Sequence, residues 1–522
     1  MKASKVLFLV FLIILSLCVV NTQPVKAGGP IYIRADGSVE GTDKIQRDGD
    51  VYTFTARIYD SIVVKRDNIV VDGGGYTLQG TGTGTGIDLS GRKNVTVKNF
   101  EINQFETGIN VSYCFFGGYN TISGNSMVNC GYGICMEHSH NNTIIGNNLN
   151  NNDCSVFIMA SHFNVFKNNQ LFDNRRSLVI QGGGALAEFT QYMDTSNTVN
   201  GKPAYYWVEE QDKAVPSDAG YVALTGCKNI TVQNLKLTGN GQGIMLFSTK
   251  DSTITRNILK DNDAGIVLWD SLNSTVSENV IANNDIGVHI RGIFPVYSQN
   301  NRICGNNITN NGEGMYIFDS SNNTIYRNNI ANNECGIRII GLGGEAANNI
   351  IHHNNFVNNT ADVPGYWSMI VFQEVWVPPQ SNVWDDSKEG NYWSDYVTRH
   401  ACMLSEVDGK VVFSVGSWNE NYWSDYNGKD NNGDGIGDTP YIIDEKSQDN
   451  NPLMAPYSPS STIQEFPDEE NPPIPTQEPF QTTWIVASTA IIAIGSVALL
   501  FYFRKIKKPS VKAEKVMSEG VM

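Results

Sequence analysis

The chain has 522 residues, with 37 Lys+Arg against 53 Asp+Glu and a net charge of −16. Only 17% of residues are charged, against a usual value of about 25%, while 41% are hydrophobic and glycine numbers 49. That balance excludes a disordered chain and, with no basic face in prospect, a nucleic-acid binder. It leaves a β protein punctuated by Gly and Asn, long enough for an extended core.

Residues 1–27 read as a secretory signal: Lys2 and Lys5, then an apolar run, then Val25-Lys26-Ala27 as a cleavage site. Residues 28–67 read as an N-terminal cap region. From about residue 68 to 383 the sequence is periodic. Asn120-Thr121-Ile122, Asn142-Thr143-Ile144 and Asn164-Val165-Phe166 recur every 22 residues. A small residue opens a β-branched strand at Gly133, Ser155 and Ser177, then at Gly243, Gly265, Gly287, Gly314 and Gly336. Ser177 and Gly243 stand three whole repeats apart, so the register is expected to run through the irregular stretch 183–225. Each unit holds three short strands separated by Asn, Gly and Asp, as turns require. With no helix for a crossover, the fold class is all-β, a right-handed parallel β-helix solenoid. Rows of Asn in register (Asn125, Asn147, Asn169; Asn257, Asn279, Asn306, Asn328) are expected to stack as amide ladders. No Leu-x-x-Leu-x-Leu signature supports a leucine-rich solenoid.

Residues 384–455 contain Tyr392-Trp393 and Tyr422-Trp423, two copies of one segment. Residues 456–483 are Pro-rich and acidic, a stalk. Residues 484–503 are apolar, long enough at 1.5 Å per residue to span a bilayer of about 30 Å. Arg504, Lys505, Lys507 and Lys508 follow, which assigns 504–522 to the cytoplasm. The expected molecule is an ectodomain held on the membrane by one span. Its eight cysteines beyond Cys18 are scattered, compatible with buried thiols or with disulfides.

The run Ile69-Val70-Val71-Asp72-Gly73-Gly74-Gly75-Tyr76-Thr77-Leu78, Asn94-Val95-Thr96-Val97 and the Asn-Asn-Thr-Ile rungs resemble NosD-type β-helix proteins. Gly390-Asn391-Tyr392-Trp393-Ser394-Asp395-Tyr396 is similar to the C-terminal segment of many microbial surface proteins of that group. The resemblance implies an exported, copper-associated protein that helps mature a copper enzyme. It also implies rungs shared with carbohydrate-binding proteins and sugar hydrolases. The C-terminal anchor and the repeated Tyr-Trp segment depart from NosD itself.

Several local motifs carry chemistry. Asp430, Asn432, Asp434 and Asp438 place oxygens at positions 1, 3, 5 and 9 of a loop with Gly435 at position 6, and Ile436 offers a carbonyl. Such a loop suits Ca²⁺ at about 10⁻⁴–10⁻³ M, although position 12 is Tyr441 rather than Glu. Met136, His138 and His140 alternate, and His162 lies 22 residues after His140, a candidate copper set. His352-His353 is a weaker pair, since neighbouring strand residues face opposite ways. Asp261, Asp263 and Asp285 are carboxylates on or beside one turn position, compatible with corners or with glycoside chemistry. Tyr205, Tyr206, Trp207, Trp393 and Trp423 are aromatics that either pack on the solenoid or stack on sugar. The leading expectation is a non-catalytic surface module for polysaccharide. The alternatives are a copper accessory protein serving a copper enzyme or transporter, and a polysaccharide lyase or hydrolase.

Overall fold

The computed structural model describes residues 29–359 apart from 293–296, 342–345 and 347, with short pieces between 392 and 455. The expected signal, stalk and membrane span lie outside the described residues. Among the described residues no helix is long and apolar enough to cross a membrane.

One repeat makes one turn of three strands. Thr121–Ser123, Ser126–Val128 and Tyr132–Glu137 form such a turn. Each pairs in parallel with its counterpart one repeat later, Ile122 with Ile144, Met127 with Leu149 and Ile134 with Val156. Alternation puts those six side chains inside, all buried, and their neighbours outside. About 14 such turns build a parallel β-solenoid. Its start is bounded by antiparallel strands: Ile45–Asp48 on Val51–Phe54, and Val39–Glu40 on Ile31–Ile33. These cover an edge that would otherwise invite pairing with another chain.

Asn serves two separate purposes. The ladder residues are buried, and each amide bonds the next turn: Asn147 donates its backbone N–H and its Nδ2–H to Asn169 Oδ1, both at 3.0 Å. The Nδ2 group also reaches back to the Ile122 carbonyl at 2.8 Å. The left-handed corners belong to other residues, such as Gly146, Asn129 and Asn151. The opening glycines are set by close approach rather than by dihedral freedom. A Cβ on Gly287 would sit 2.4 Å from the Gly314 carbonyl oxygen.

The register does not run straight through 183–225. The strand Arg176–Gln181 ends one eight-stranded sheet and does not pair with Gln242–Phe247 within a sheet. Instead Thr198–Val199 closes a hairpin with Lys202–Val208, the one antiparallel pair within a 13-stranded sheet. The chain thereby starts a second coil, whose glycine strands continue the sheet that held the Asn-x-Ile strands of the first. The separation of Ser177 from Gly243 coincides with three repeats although this stretch is not three stacked turns.

Each coil has its own core. Tyr206, Phe189, Phe247 and Trp269 belong to the first, and Leu224, Leu246, Leu268 and Ile290 to the second. Tyr221–Thr225 lies between them and is buried on both faces.

Candidate functional site

Where the last strand of the first coil meets the outer face of the second coil's glycine-strand sheet, a cleft of about 1090 Å³ opens. Its floor follows from strand alternation. In the strands Ala264–Trp269, Ile286–Arg291, Glu313–Phe318 and Cys335–Ile340, the residues between the inward Ile, Val, Met and Leu must point out. Register sets them in rows. One row runs Met245, Val267, His289, Tyr316, Arg338; beside it runs Phe247, Trp269, Arg291, Phe318. The start of the floor is covered: Phe189 stacks on Phe247 at 3.8 Å and meets Trp269 edge-on at 4.8 Å. Further along, the rows turn polar as the cover ends.

Flat groups overlie one another there. The Arg291 guanidinium sits 4.0 Å from the Trp269 ring centre, and His289 stacks on Tyr316 at 4.9 Å. Arg338 pairs with Glu313 at 3.0 Å. Across the cleft Arg176 of the first coil pairs with Asp153 and, at 3.4 Å, with Asp263 of the second. Burial pushes the His289 imidazolium down to about 3, helped by Arg291, so the ring is neutral. Burial raises the Glu313 carboxyl, with Arg338 opposing, and lifts the Tyr316 phenol to about 12. Trp269 Nε1, His289 Nε2, Arg291 Nε, Glu313 Oε2 and Arg338 Nε are enclosed yet have no hydrogen-bond partner among the described residues.

The sequence motifs distribute unevenly over this picture. Asp263 and Asp285 both line the cleft. Burial raises the Asp263 carboxyl, Asp285 adds to that, and Arg176 opposes it. Asp261 is a left-handed corner residue. Of Tyr205, Tyr206 and Trp207, the first and last are partly exposed and the middle one is not. Tyr206 is buried and donates to the Phe189 carbonyl; Tyr205 donates to Asp218 at 2.9 Å and packs with Trp207 on the second core. Trp393 and Trp423 lie in strands that extend the last sheet, Phe356 pairing with Trp393 and Trp393 with Trp423.

The expected copper set separates. Met136 points into the core, fully buried. His138 takes a left-handed φ of 47°, which ends the alternation, and its ring lies 5.5 Å from Phe115. Only His140 and His162 meet, stacked at 3.6 Å with planes 18° apart, and His140 Nδ1 accepts the His162 backbone N–H at 3.1 Å. Nitrogen lone pairs lie in the ring planes, so stacked rings aim them in parallel rather than at one ion. His352 and His353 come closer than alternation allows, Nδ1 to Nδ1 at 2.6 Å, because His353 is left-handed. Among the described residues no three His, Cys, Asp or Glu converge as a metal site.

In the 430–438 loop, Asp430 accepts the Gly433 and Gly435 N–H groups at 2.6 and 2.9 Å, and Asp438 accepts Asn431 at 2.7 Å. Asp434 lies outside the described residues. Among the described residues six cysteines are free thiols and Cys335 is disulfide-bonded; burial pushes Cys135 and Cys154 up to about 12.

His289, Arg291, Glu313 and Arg338 were not singled out by sequence motif. Their signal is columnar: in aligned Gly-Ile-x-Ile-x units the variable positions turn from apolar in the first two turns to His, Arg and Tyr in the next ones.

These features define a two-coil parallel β-solenoid with a polar cleft at the coil junction. The chain belongs to the NosD family, described as periplasmic copper-binding proteins, whose profile matches residues 62–202 and 190–398. That placing supports an extracellular or periplasmic ectodomain. The residues described above do not fit a copper ion. No curated protein matches the chain. Among solved structures, a mutant of the periplasmic alginate epimerase AlgG is 15% identical, over 63% of this chain and 78% of that one, with a TM-score of 0.27. The A-module of the mannuronan C-5 epimerase AlgE6 from Azotobacter vinelandii is 12% identical over 57% and 85%, with a TM-score of 0.23. An alginate lyase from Paenibacillus sp. is 14% identical over 48% and 95%, with a TM-score of 0.20. At that distance none lends this chain its activity.

Proposed function

We propose that the cleft binds a carbohydrate chain, and that the protein is a non-catalytic binding module of the cell envelope, held at the membrane by residues 484–503. The observation that supports this is the set of unpartnered polar atoms on the floor. An enclosed polar group without a partner costs about 1–3 kcal/mol, so five in one place favour a ligand that supplies their bonds. Sugar hydroxyls both donate and accept, which suits a floor that carries guanidinium and carboxylate together.

Affinity electrophoresis of the full-length protein through a panel of soluble polysaccharides tests the reading. Retardation by at least one polymer is expected, together with its loss in a His289→Ala, Tyr316→Ala double variant of unchanged circular dichroism. No retardation by any polymer, or retardation indifferent to the double variant, defeats it.

The 430–438 loop is proposed to take Ca²⁺, because its carboxylates already turn inward onto their own amides. A melting temperature of the 384–455 region unmoved by millimolar calcium, followed in the full-length protein by hydrogen exchange, would remove that proposal.

A further inference from the structure

The floor is unequal in its demands. Of its five unpartnered atoms, three are obligate donors: Trp269 Nε1, Arg291 Nε and Arg338 Nε. Only Glu313 Oε2 is an obligate acceptor from its ionised form, and His289 Nε2 takes either role. A neutral sugar can serve all three, since each hydroxyl has two lone pairs to one proton, so it is charge rather than the donor count that selects the ligand. A guanidinium without a counter-charge calls for an anion.

Arg291 is where that group belongs. Arg176 and Arg338 are each neutralised by a carboxylate, Asp153 and Glu313 respectively. Arg291 forms no ion pair within 4.0 Å among the described residues; Asp270 and Asp319 influence it only from farther off. Its guanidinium plane is fixed on Trp269 on one side and lies 5.9 Å from the Phe318 ring centre on the other, which leaves its edge to present two parallel N–H donors. His289, two residues earlier on the same strand, points from the same face. Asp285 and Glu334 line the cleft beside the starts of the floor strands and oppose an anion there, at the end away from Arg291.

We infer that the cleft is a uronate site: Arg291, seated on Trp269, takes the carboxylate of an acidic sugar as a bidentate partner, with His289 beside it, while Arg338, two strands or about 10 Å along the floor, and its partner Glu313 on the strand between take neighbouring hydroxyls. This rests on the carbohydrate reading above. It adds the chemical class of the sugar, and no bond is broken in it.

The test uses matched ligands. Full-length protein is titrated calorimetrically with three uronate polymers, polygalacturonate, polymannuronate and hyaluronate, and with the carboxyl-reduced form of each. At least one acidic polymer is expected to bind at least about tenfold more tightly than its reduced form, the scale of one charge-assisted hydrogen bond. In Arg291→Gln that ratio is expected to fall toward one, and raising the salt is expected to weaken wild type more than the variant. Equal affinity for acidic and reduced polymers, or a ratio unchanged in Arg291→Gln, overturns the uronate assignment and leaves the carbohydrate reading standing. Binding of none of the six overturns the uronate assignment, and the electrophoretic panel then decides the carbohydrate reading separately. Should Arg291→Gln not fold, the wild-type ratio alone still decides.

Discussion

A single ladder asparagine carries more than its own side chain. Asn147 Oδ1 accepts both the backbone N–H and the Nδ2–H of Asn125, at 3.0 and 3.1 Å. Replacing it by Ala leaves the Asn125 N–H and one of its Nδ2–H protons buried without a partner. The expected cost is about 2–4 kcal/mol, from two orphaned groups at about 1–2 each, measured as a lower denaturant midpoint; a loss within experimental error would show that water replaces the amide. His140 supplies a second residue-scale test. Its ring is held near a pKa of about 4, first by burial and then by His162 and His138, against 6.5 when unfolded. The unfolded chain therefore takes the proton first. The ring's contribution to stability is full above about pH 6.5 and is lost as the pH falls toward about 4. Thermal melting across that interval is expected to decline less steeply in His140→Gln than in wild type, and parallel slopes would refute it. The ladder was legible because spacing alone puts amides in register. The copper set was misleading for an equally local reason. Nothing in Met136-x-His138-x-His140 reveals that His138 turns left-handed, and one such residue cancels the alternation.

At the level of the strand, the glycine column fixes how closely turns approach. A Cβ on Gly287 would press on the Gly314 carbonyl oxygen and, at 2.8 Å, on Ile308 Cγ2. Backbone cannot yield there as a side-chain tip can. Gly287→Ala is expected to cost about 1–3 kcal/mol by overpacking, whereas Gly305→Ala, with no atom within 4 Å of its Cβ, bears only the strain of its φ of +66°. Equal melting temperatures for the two variants would show that the column relaxes. The strand Lys202–Val208 joins the coils, and Tyr206 on it is 5% exposed in the first core while Tyr205 and Trp207 serve the second. Tyr206→Ala is expected to lose about 3–5 kcal/mol, read by denaturant titration. These aromatics stood out in sequence as an insertion. Their role stayed hidden because a hairpin that restarts a solenoid and a loop that displays side chains use the same residues.

Over the whole molecule, a stack of turns is as stable as its ends allow. The strands Tyr392–Trp393 and Tyr422–Trp423 add two more members to the last sheet beyond Asn355–Val357. Ending the chain after residue 359 exposes that strand's unpaired edge. Such a truncation is expected to raise light scattering on storage at concentrations where the full-length protein stays clear; equal clarity would mean the edge is protected otherwise. The solenoid as a class was evident from 22-residue recurrence. The division into two coils was not, since a return to register after three repeat lengths mimics continuity, and the cleft depends on that division.

The amide-to-amide bonds of the ladder run one way, each ladder Asn giving its backbone N–H and one Nδ2–H to the Oδ1 of the following turn. A duplicated or deleted repeat therefore restores the same wiring at its junctions. Because every repeat of the second coil also adds one place to each floor row, copying a unit lengthens the trough by one strand spacing, about 4.8 Å. The repeat is thus a ruler as well as a brick: inheritance can adjust the length of the trough by whole-unit gain or loss, without redesigning any side chain already present.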